Sequence, residues 1–239
     1  MLEKIRTALD LIYPRNCQFC TEPLCDREPG VICASCLALA KRIESPFCQR
    51  CSLPFAGQIN DPFECGYCQD IQFHFSRAVA ACRAEGVVRD CIHRLKYNRE
   101  LYYLPHLVDW LTSAGREHID WSTIDAIVPV PLHSCKQRDR EFNQAELLAR
   151  DLSREFGKPL ICNGVRRVKE TQTQTKLDAA ARRVNLRSAF SPGRGPVTGL
   201  RLVLVDDVFT TGATLDSCAS LLVNQGAAAV MALTVARGI

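Results

Sequence analysis

The sequence has no apolar run that approaches the ~18 residues needed to cross a membrane, so we expect no membrane insertion. We also expect no export signal at its start. From Met1 to Tyr13 the apolar residues recur at helical spacing between charged ones, which predicts an amphipathic helix that packs on the protein. We therefore expect a cytoplasmic protein.

The chain has little net charge of either sign. Thirty Lys and Arg stand against 26 Asp and Glu, and charged residues make up 23% of 239 residues, as is ordinary for globular proteins. Hydrophobic residues make up 47%, which is enough for one large domain or two smaller ones. The basic charge is concentrated, however, because residues 136–201 hold fifteen Lys or Arg and only seven Asp or Glu. This local balance of +8 predicts either a polyphosphate ligand or a nucleic-acid surface.

Cysteine is the residue type that is abundant, with fourteen in the chain. Without an export signal they argue against a disulfide scaffold. Eight of them form four Cys-x-x-Cys pairs separated by 12, 11 and 13 residues, and two such pairs can complete a tetrahedral four-cysteine zinc site. A thioredoxin-like redox motif would occur singly, so we predict two structural zinc ions. The predicted ligands are Cys17, Cys20, Cys33, Cys36, Cys48, Cys51, Cys65 and Cys68.

Each Cys-x-x-Cys pair is called a knuckle here. The spacing does not decide which two knuckles share one zinc ion. Sequential closure joins the first pair with the second and the third with the fourth. Interleaved closure joins the first with the third and the second with the fourth. Sequential closure makes smaller loops, and loop-closure entropy modestly favours it.

The chain changes character after residue 75, where strand patterns begin to alternate with helix patterns. Strands are predicted at 77–84, 124–130, 201–205 and 230–236, and helices at 87–97, 142–156 and 212–224. A basic loop is expected over 132–144, and residues 166–190 are expected to form a long loop or a short helix. The alternation predicts an α/β fold with a parallel sheet covered by helices. We expect a zinc domain with an N-terminal helix over 1–75 and the sheet domain over 76–239.

One segment predicts an anion-binding strand, loop and helix. The apolar run from Val203 to Val205 leads into Asp206 and Asp207, and small hydroxyl residues and a glycine follow. Backbone N–H groups and the dipole at the start of the next helix favour a phosphate. The two carboxylates can accept hydrogen bonds from sugar hydroxyls. The predicted phosphate loop comprises Thr210, Thr211, Gly212, Ala213 and Thr214.

This segment resembles the motif with which type I phosphoribosyltransferases bind phosphoribosyl pyrophosphate (PRPP). The order along the whole chain resembles the ComF family: cysteine knuckles, then Lys96-Tyr97, then Phe142-Asn143-Gln144, then the PRPP motif. Where that family usually has glycine, this chain has Glu141. The resemblance implies that PRPP binds with Mg²⁺ at the acidic pair and the phosphate loop. The residues expected to contact pyrophosphate or to belong to the basic loops are Lys96, Arg138, Arg140, Asn143, Gln144, Arg167, Gln174 and Arg182.

The resemblance also implies a role in bacterial DNA uptake or utilisation, and three functions remain open. The favoured one is a DNA-handling adaptor that keeps its PRPP site and contacts single-stranded DNA or proteins of DNA uptake and competence. The second is an active phosphoribosyltransferase of nucleotide metabolism with an unknown acceptor. The third is a regulator that senses PRPP or a nucleotide without converting it. Fold alone does not fix function, so the sequence does not decide between the three. No catalytic residue is identified from it.

Overall fold

A computed structural model describes residues 15–24, 30–59, 61–169 and 188–238. The helix predicted for the first thirteen residues lies outside these ranges. Within them, no helix combines the length and the apolar character that a membrane span requires.

Two cysteine knuckles in the N-terminal part each lead into a single helical turn. Cys33 caps the first of these helices, where its sulfur accepts a hydrogen bond from Cys36 N at 3.4 Å, and Cys65 precedes the second. Each turn contains the second cysteine of its knuckle, so that both sulfurs of the Cys-x-x-Cys pair lie on one side of a tight bend. In chain order the helices are α1 Ala34–Leu37, α2 Gly66–Gln69, α3 Gly86–His93, α4 Leu104–His118, α5 Ser134–Arg140, α6 Gln144–Phe156 and α7 Ala213–Asn224.

A parallel sheet in the order β1-β6-β5-β2 forms the centre of the described structure. A separate antiparallel pair, β3 with β4, lies beside it. The strands are β1 Ala78–Arg83, β2 Ala126–Pro129, β3 Val165–Arg167, β4 Phe190–Pro192, β5 Arg201–Phe209 and β6 Ala229–Arg237. The predicted parallel sheet with flanking helices and a cysteine-rich N-terminal part is confirmed.

Both faces of the sheet are buried, and β5 contributes alternate residues to each. Val203 and Val205 lie in the core shared with Leu148 of α6. Leu202 and Leu204 lie in the opposite core, which includes Leu215 and Leu222 of α7. The cysteine clusters belong to these same two cores, since Cys17, Cys33 and Cys36 join the first and Cys48, Cys51 and Cys68 join the second. The two cores therefore extend from the sheet into the knuckles.

Strand β5 is longer than predicted. The apolar run suggested an end at Val205, but the strand continues to Phe209 because β6 keeps pairing with it, through Asp206 with Thr234 and Phe209 with Arg237. Neighbouring β2 stops at Pro129, which pairs with Val205. The acidic pair therefore sits inside a strand, just beyond the end of β2.

Other boundaries also differ from the prediction. The expected loop at 132–144 contains α5, and α6 starts at Gln144 rather than at 142. The helix predicted for 87–97 ends at His93 and continues as a π-helical turn over Arg94–Asn98. Tertiary contacts decide these ends, which periodicity alone cannot locate.

Candidate functional site

The eight paired cysteines form two clusters, and the pairing is sequential. Within each cluster the sulfur atoms all lie within 4.8 Å of one another. The clusters are Cys17, Cys20, Cys33 and Cys36, called the first cluster here, and Cys48, Cys51, Cys65 and Cys68, called the second.

The geometry of both clusters fits a structural zinc ion. A tetrahedral site with Zn–S bonds of about 2.3 Å needs sulfurs about 3.8 Å apart. Cys20 and Cys33 lie 3.6 Å apart and Cys51 and Cys65 lie 3.8 Å apart. The hydrogen bond between Cys51 and Cys48 lowers the pKa of the Cys48 thiol to about 4, which favours the thiolate that a metal binds, and raises the pKa of the Cys51 thiol. Two four-cysteine sites therefore accommodate two structural zinc ions.

The acidic pair places one carboxylate on each face of β5. Asp207 points to the α3 side, where Lys96 forms an ion pair with its Oδ2. Lys96 is held there by the π-helical turn that continues α3, a rare element that is frequent at functional sites. Both partners are largely buried, with side-chain exposures of 19% for Lys96 and 6% for Asp207. The structure thus brings Lys96 and the acidic pair together.

Asp206 points to the opposite face, toward α7. Its Oδ1 accepts a hydrogen bond from Asp207 N at 2.9 Å. Burial is the main cause that raises the pKa of Asp206 well above its usual value, and repulsion from Asp207 adds to it, while Lys96 acts in the opposite direction. Burial also raises the pKa of the Cys218 thiol on α7, and the charge of Asp206 contributes to that shift. Asp206 is therefore a carboxyl group kept in an environment that disfavours its charge.

The predicted phosphate loop lies between β5 and α7. Gly212 precedes α7 with φ of 76°, a left-handed conformation that favours glycine. A Cβ atom at Gly212 would lie 2.6 Å from the Phe209 ring, so the close approach also requires glycine. In the first turn of α7, Asp216 N donates to Gly212 O at 2.8 Å, and Ala213 N donates to Thr211 Oγ1 at 3.4 Å. Thr210 is exposed and Thr211 is half-buried, while Ala213 and Thr214 belong to the first turn of α7.

The segment after β2 lies close to the Lys96 turn. Asn143 caps α6 by accepting a hydrogen bond from Ala145 N at 3.1 Å, and it donates to Val130 O at 3.0 Å. Arg140 lies over the Tyr97 ring, 5.1 Å from its centroid, and donates to Gln144 Oε1 at 3.0 Å. Asn143 and Gln144 are thus engaged within the protein, and they position this segment beside the acidic pair.

The remaining residues expected at the pyrophosphate end are less tightly grouped. Arg138 is exposed on α5 and contacts Cys135 Sγ at 3.4 Å. Arg167, at the end of β3, lies over the Phe190 ring and exerts an electrostatic influence on Cys218. Gln174 and Arg182 lie outside the described residues.

Glu141 has a backbone conformation that explains the glycine usual at this position in the family it resembles. Its φ is 71° at the end of α5, where a residue with a side chain is strained. Arg99, itself at φ of 60°, donates to Glu141 Oε1 at 2.6 Å and also contacts Asp139 O. The ion pair ties the Lys96 side of the site to α5, which a glycine could not do.

Arg237 is a site residue that sequence reasoning missed. It ends β6, it is 5% exposed, and its guanidinium donates to Thr210 O at 2.7 Å. A lone arginine in a strand pattern gives no signal of such a role. Its placement follows only from the parallel pairing of Arg237 with Phe209.

The two parts of the chain match known protein families. Residues 8–72 match the double zinc ribbon domain and residues 143–239 match the phosphoribosyl transferase domain. DNA utilization protein YhgH of Salmonella typhimurium is 34% identical, over 92% of this chain and 96% of its own. Competence protein F of Haemophilus influenzae is 33% identical, over 86% and 90%. Among solved structures, orotate phosphoribosyltransferase from Aeropyrum pernix is 18% identical with a TM-score of 0.35, over 59% of this chain and 75% of its own.

The raised pKa of Asp206 predicts that this carboxylate destabilises the fold at neutral pH. A carboxyl group whose folded pKa exceeds its unfolded value loses stability as pH rises through the interval between the two. Asp206→Asn keeps the acceptor for Asp207 N and removes the charge. We expect the variant to melt at a higher temperature than wild type at neutral pH, with a smaller difference at mildly acidic pH.

Thermal unfolding of both proteins at the same series of pH values measures this difference. Asp207→Asn is the matched control, because it removes the carboxylate that Lys96 pairs with and should not stabilise the protein. A lower melting temperature for Asp206→Asn at neutral pH would contradict the assignment.

Proposed function

This chain belongs to the ComF family, and from that membership and the site geometry we propose that it binds PRPP or a related ribose phosphate together with Mg²⁺. We place this binding within bacterial DNA uptake or utilisation in the cytoplasm. In this proposal residues 1–75 form the zinc-ribbon domain and residues 76–239 the phosphoribosyltransferase-like domain.

The observation that carries the proposal is the position of the acidic pair relative to the start of α7. Asp206 and Asp207 precede the Thr210–Gly212 loop on one continuous strand beyond the end of β2. Ligands of parallel α/β sheets bind beyond the carboxyl ends of the strands. A sugar phosphate bridging the carboxylates and the α7 amide groups would occupy that place.

The chain's own residues suggest how the ligand would be held. The amides and hydroxyls of Thr210 to Thr214 would bind the 5-phosphate, because a helix start favours anions. The carboxylates would accept the ribose hydroxyls, and Mg²⁺, a cation that prefers oxygen ligands, would share that charge when bound. Lys96 now compensates Asp207, so ligand binding would replace or share that ion pair.

Basic side chains around the acidic pair would bind the pyrophosphate end. Lys96 and Arg140 are near each other, since Arg140 lies over the ring of Tyr97. Further contacts would come from the basic segment over residues 136–201, through Arg138, Arg167, Gln174 and Arg182. A charged site of this kind works by positioning and electrostatic stabilisation.

The second candidate is an active phosphoribosyltransferase with an unknown acceptor. The Lys96 cation beside the acidic pair favours it, because that charge could stabilise departing pyrophosphate without a dedicated base. Release of pyrophosphate from PRPP with candidate acceptors separates this function from binding alone.

We also assign single-stranded DNA to the surface formed by α5 and Tyr97, with proteins of DNA uptake or competence as further partners. The α5 helix carries Lys136, Arg138 and Arg140, and Tyr97 is 62% exposed beside Arg140. An exposed ring next to arginines suits stacking of bases and contact with phosphates. On α6, Arg150 and Arg154 are paired with Glu146 and Asp151.

The acidic pair should be required for PRPP binding. In Asp206→Asn/Asp207→Asn both charges are lost while the shape of the strand is kept. We expect calorimetry with Mg²⁺ to give an affinity for PRPP at least about a hundredfold lower, because each hydrogen bond to a charged group contributes roughly 1.5–3 kcal/mol.

Asp125→Asn is the control, since Asp125 accepts a hydrogen bond from Arg201 N at the opposite end of the sheet. It should leave PRPP affinity unchanged. Equal affinity of the double variant and wild type would rule out this site.

Single-stranded DNA should bind α5 mainly through phosphate contacts, so its affinity should fall steeply as salt rises. Arg138→Glu should weaken binding and reduce the slope of log affinity against log salt by about one. Arg154→Glu makes the same charge change on α6 and should have little effect. Fluorescence titrations over a range of salt concentrations test this, and either no binding at low salt or equal losses in the two variants would contradict the surface.

A further inference from the structure

The second cysteine cluster lies directly behind the phosphate loop. The link is Arg237, the last residue of β6, which is buried among backbone carbonyl groups. Its Nε donates to Cys51 O at 3.1 Å, within the third knuckle. Its Nη1 donates to Phe209 O at 3.2 Å and to Thr210 O at 2.7 Å, where the phosphate loop begins. One guanidinium therefore joins a metal knuckle to the loop.

A second link comes from α2, the helical turn of the fourth knuckle. Tyr67 lies between the ligands Cys65 and Cys68, and its hydroxyl donates to Thr211 O at 2.8 Å. The two links together hold the carbonyl groups of Phe209, Thr210 and Thr211, so the three residues that lead into Gly212 are all anchored from outside β5.

Side chains that follow the fourth knuckle complete this support. A Cβ at Gly212 would lie 3.0 Å from the ring of Phe73, which also packs edge-on against Phe209. His74 N donates to Asp216 Oδ1 in the first turn of α7 at 2.7 Å. The chain leaving the second cluster thus contacts both sides of the loop, its β5 end and its α7 end.

The first cluster contacts a different side of the site. Phe19, between Cys17 and Cys20, lies under the guanidinium of Arg94 at 5.2 Å. Arg94 donates to the hydroxyl of Tyr103 at 2.7 Å and begins the π-helical turn that carries Lys96. This cluster therefore supports the Lys96 turn, whereas the second supports the phosphate loop.

We propose that Arg237 and Tyr67 are positioning residues that couple metal binding at the second cluster to the conformation of the phosphate loop. Four-cysteine knuckles depend on their metal for folding. When the second cluster loses its metal, Arg237 and Tyr67 lose their fixed positions, and the loop between β5 and α7 opens more readily. The ligand part of this inference rests on the proposed function, but the structural part does not.

Hydrogen exchange of the ligand-free protein tests the coupling, because exchange reports local opening. Cys65→Ser and Cys20→Ser each remove one thiolate, from the second and the first cluster. Elemental analysis should find about two zinc ions in wild type and about one in each variant. Exchange in segment 209–216 should be at least about tenfold faster in Cys65→Ser and unchanged in Cys20→Ser. Equal protection in both variants, or equal loss in both, would overturn the proposal.

If Cys65→Ser fails to fold, two tyrosine variants that keep all the cysteine ligands test the same coupling. Tyr67→Phe removes the hydroxyl that binds Thr211 O, and Tyr103→Phe removes a hydroxyl on the first-cluster side. Both variants should keep two zinc ions, and only Tyr67→Phe should speed hydrogen exchange in residues 209–216. Calorimetry with ribose 5-phosphate should show an affinity about threefold to tenfold lower for Tyr67→Phe alone.

The two possible failures remain distinct. If wild type binds neither PRPP with Mg²⁺ nor ribose 5-phosphate, the proposed function is wrong, and the exchange data still decide the coupling. If wild type binds but Tyr67→Phe matches it in both affinity and exchange, the coupling is wrong while the binding site stands.

Discussion

Asp206 and Asp207 lie side by side inside β5, and the cost of burying two like charges constrains the structure around them. The strand separates the carboxylates onto opposite faces, Lys96 compensates Asp207, and burial raises the pKa of Asp206. Hydrophobic residues at these positions would be more stable in a sheet buried on both faces. Proteins retain such costly groups chiefly at functional sites, where pKa values are perturbed for the same reasons.

The cysteine clusters extend this arrangement outward. Each cluster shares a core with one face of the sheet and reaches a different part of the acidic site: the first through Arg94 to the Lys96 turn, the second through Arg237 to the phosphate loop. A small cysteine-rich segment cannot build a large core of its own, so metal binding supplies its stability. On this view the zinc ribbons are part of the framework of the site.

The sequence alone was sufficient to predict features that depend on the spacing of nearby residues. Cys-x-x-Cys pairs predicted the two clusters, alternating patterns predicted the parallel sheet, and Asp206-Asp207 before small residues located the β5–α7 connection. It was insufficient for features that depend on contacts between residues far apart in the sequence. The extension of β5 to Phe209 depends on pairing with β6, and Arg237 bonds to Cys51, 186 residues away. The left-handed backbone of Glu141 has no signal in a single sequence without the family resemblance.

The proposed function depends on a ribose phosphate that bridges the acidic pair and the start of α7. A crystal structure of the zinc-loaded protein grown with Mg²⁺ and PRPP tests it most directly. We expect the 5-phosphate at the amide groups of Thr210 to Thr214, the ribose hydroxyls at Asp206 and Asp207, and Lys96 moved from its ion pair toward the ligand. PRPP bound elsewhere, with the Lys96–Asp207 pair unchanged, would contradict it.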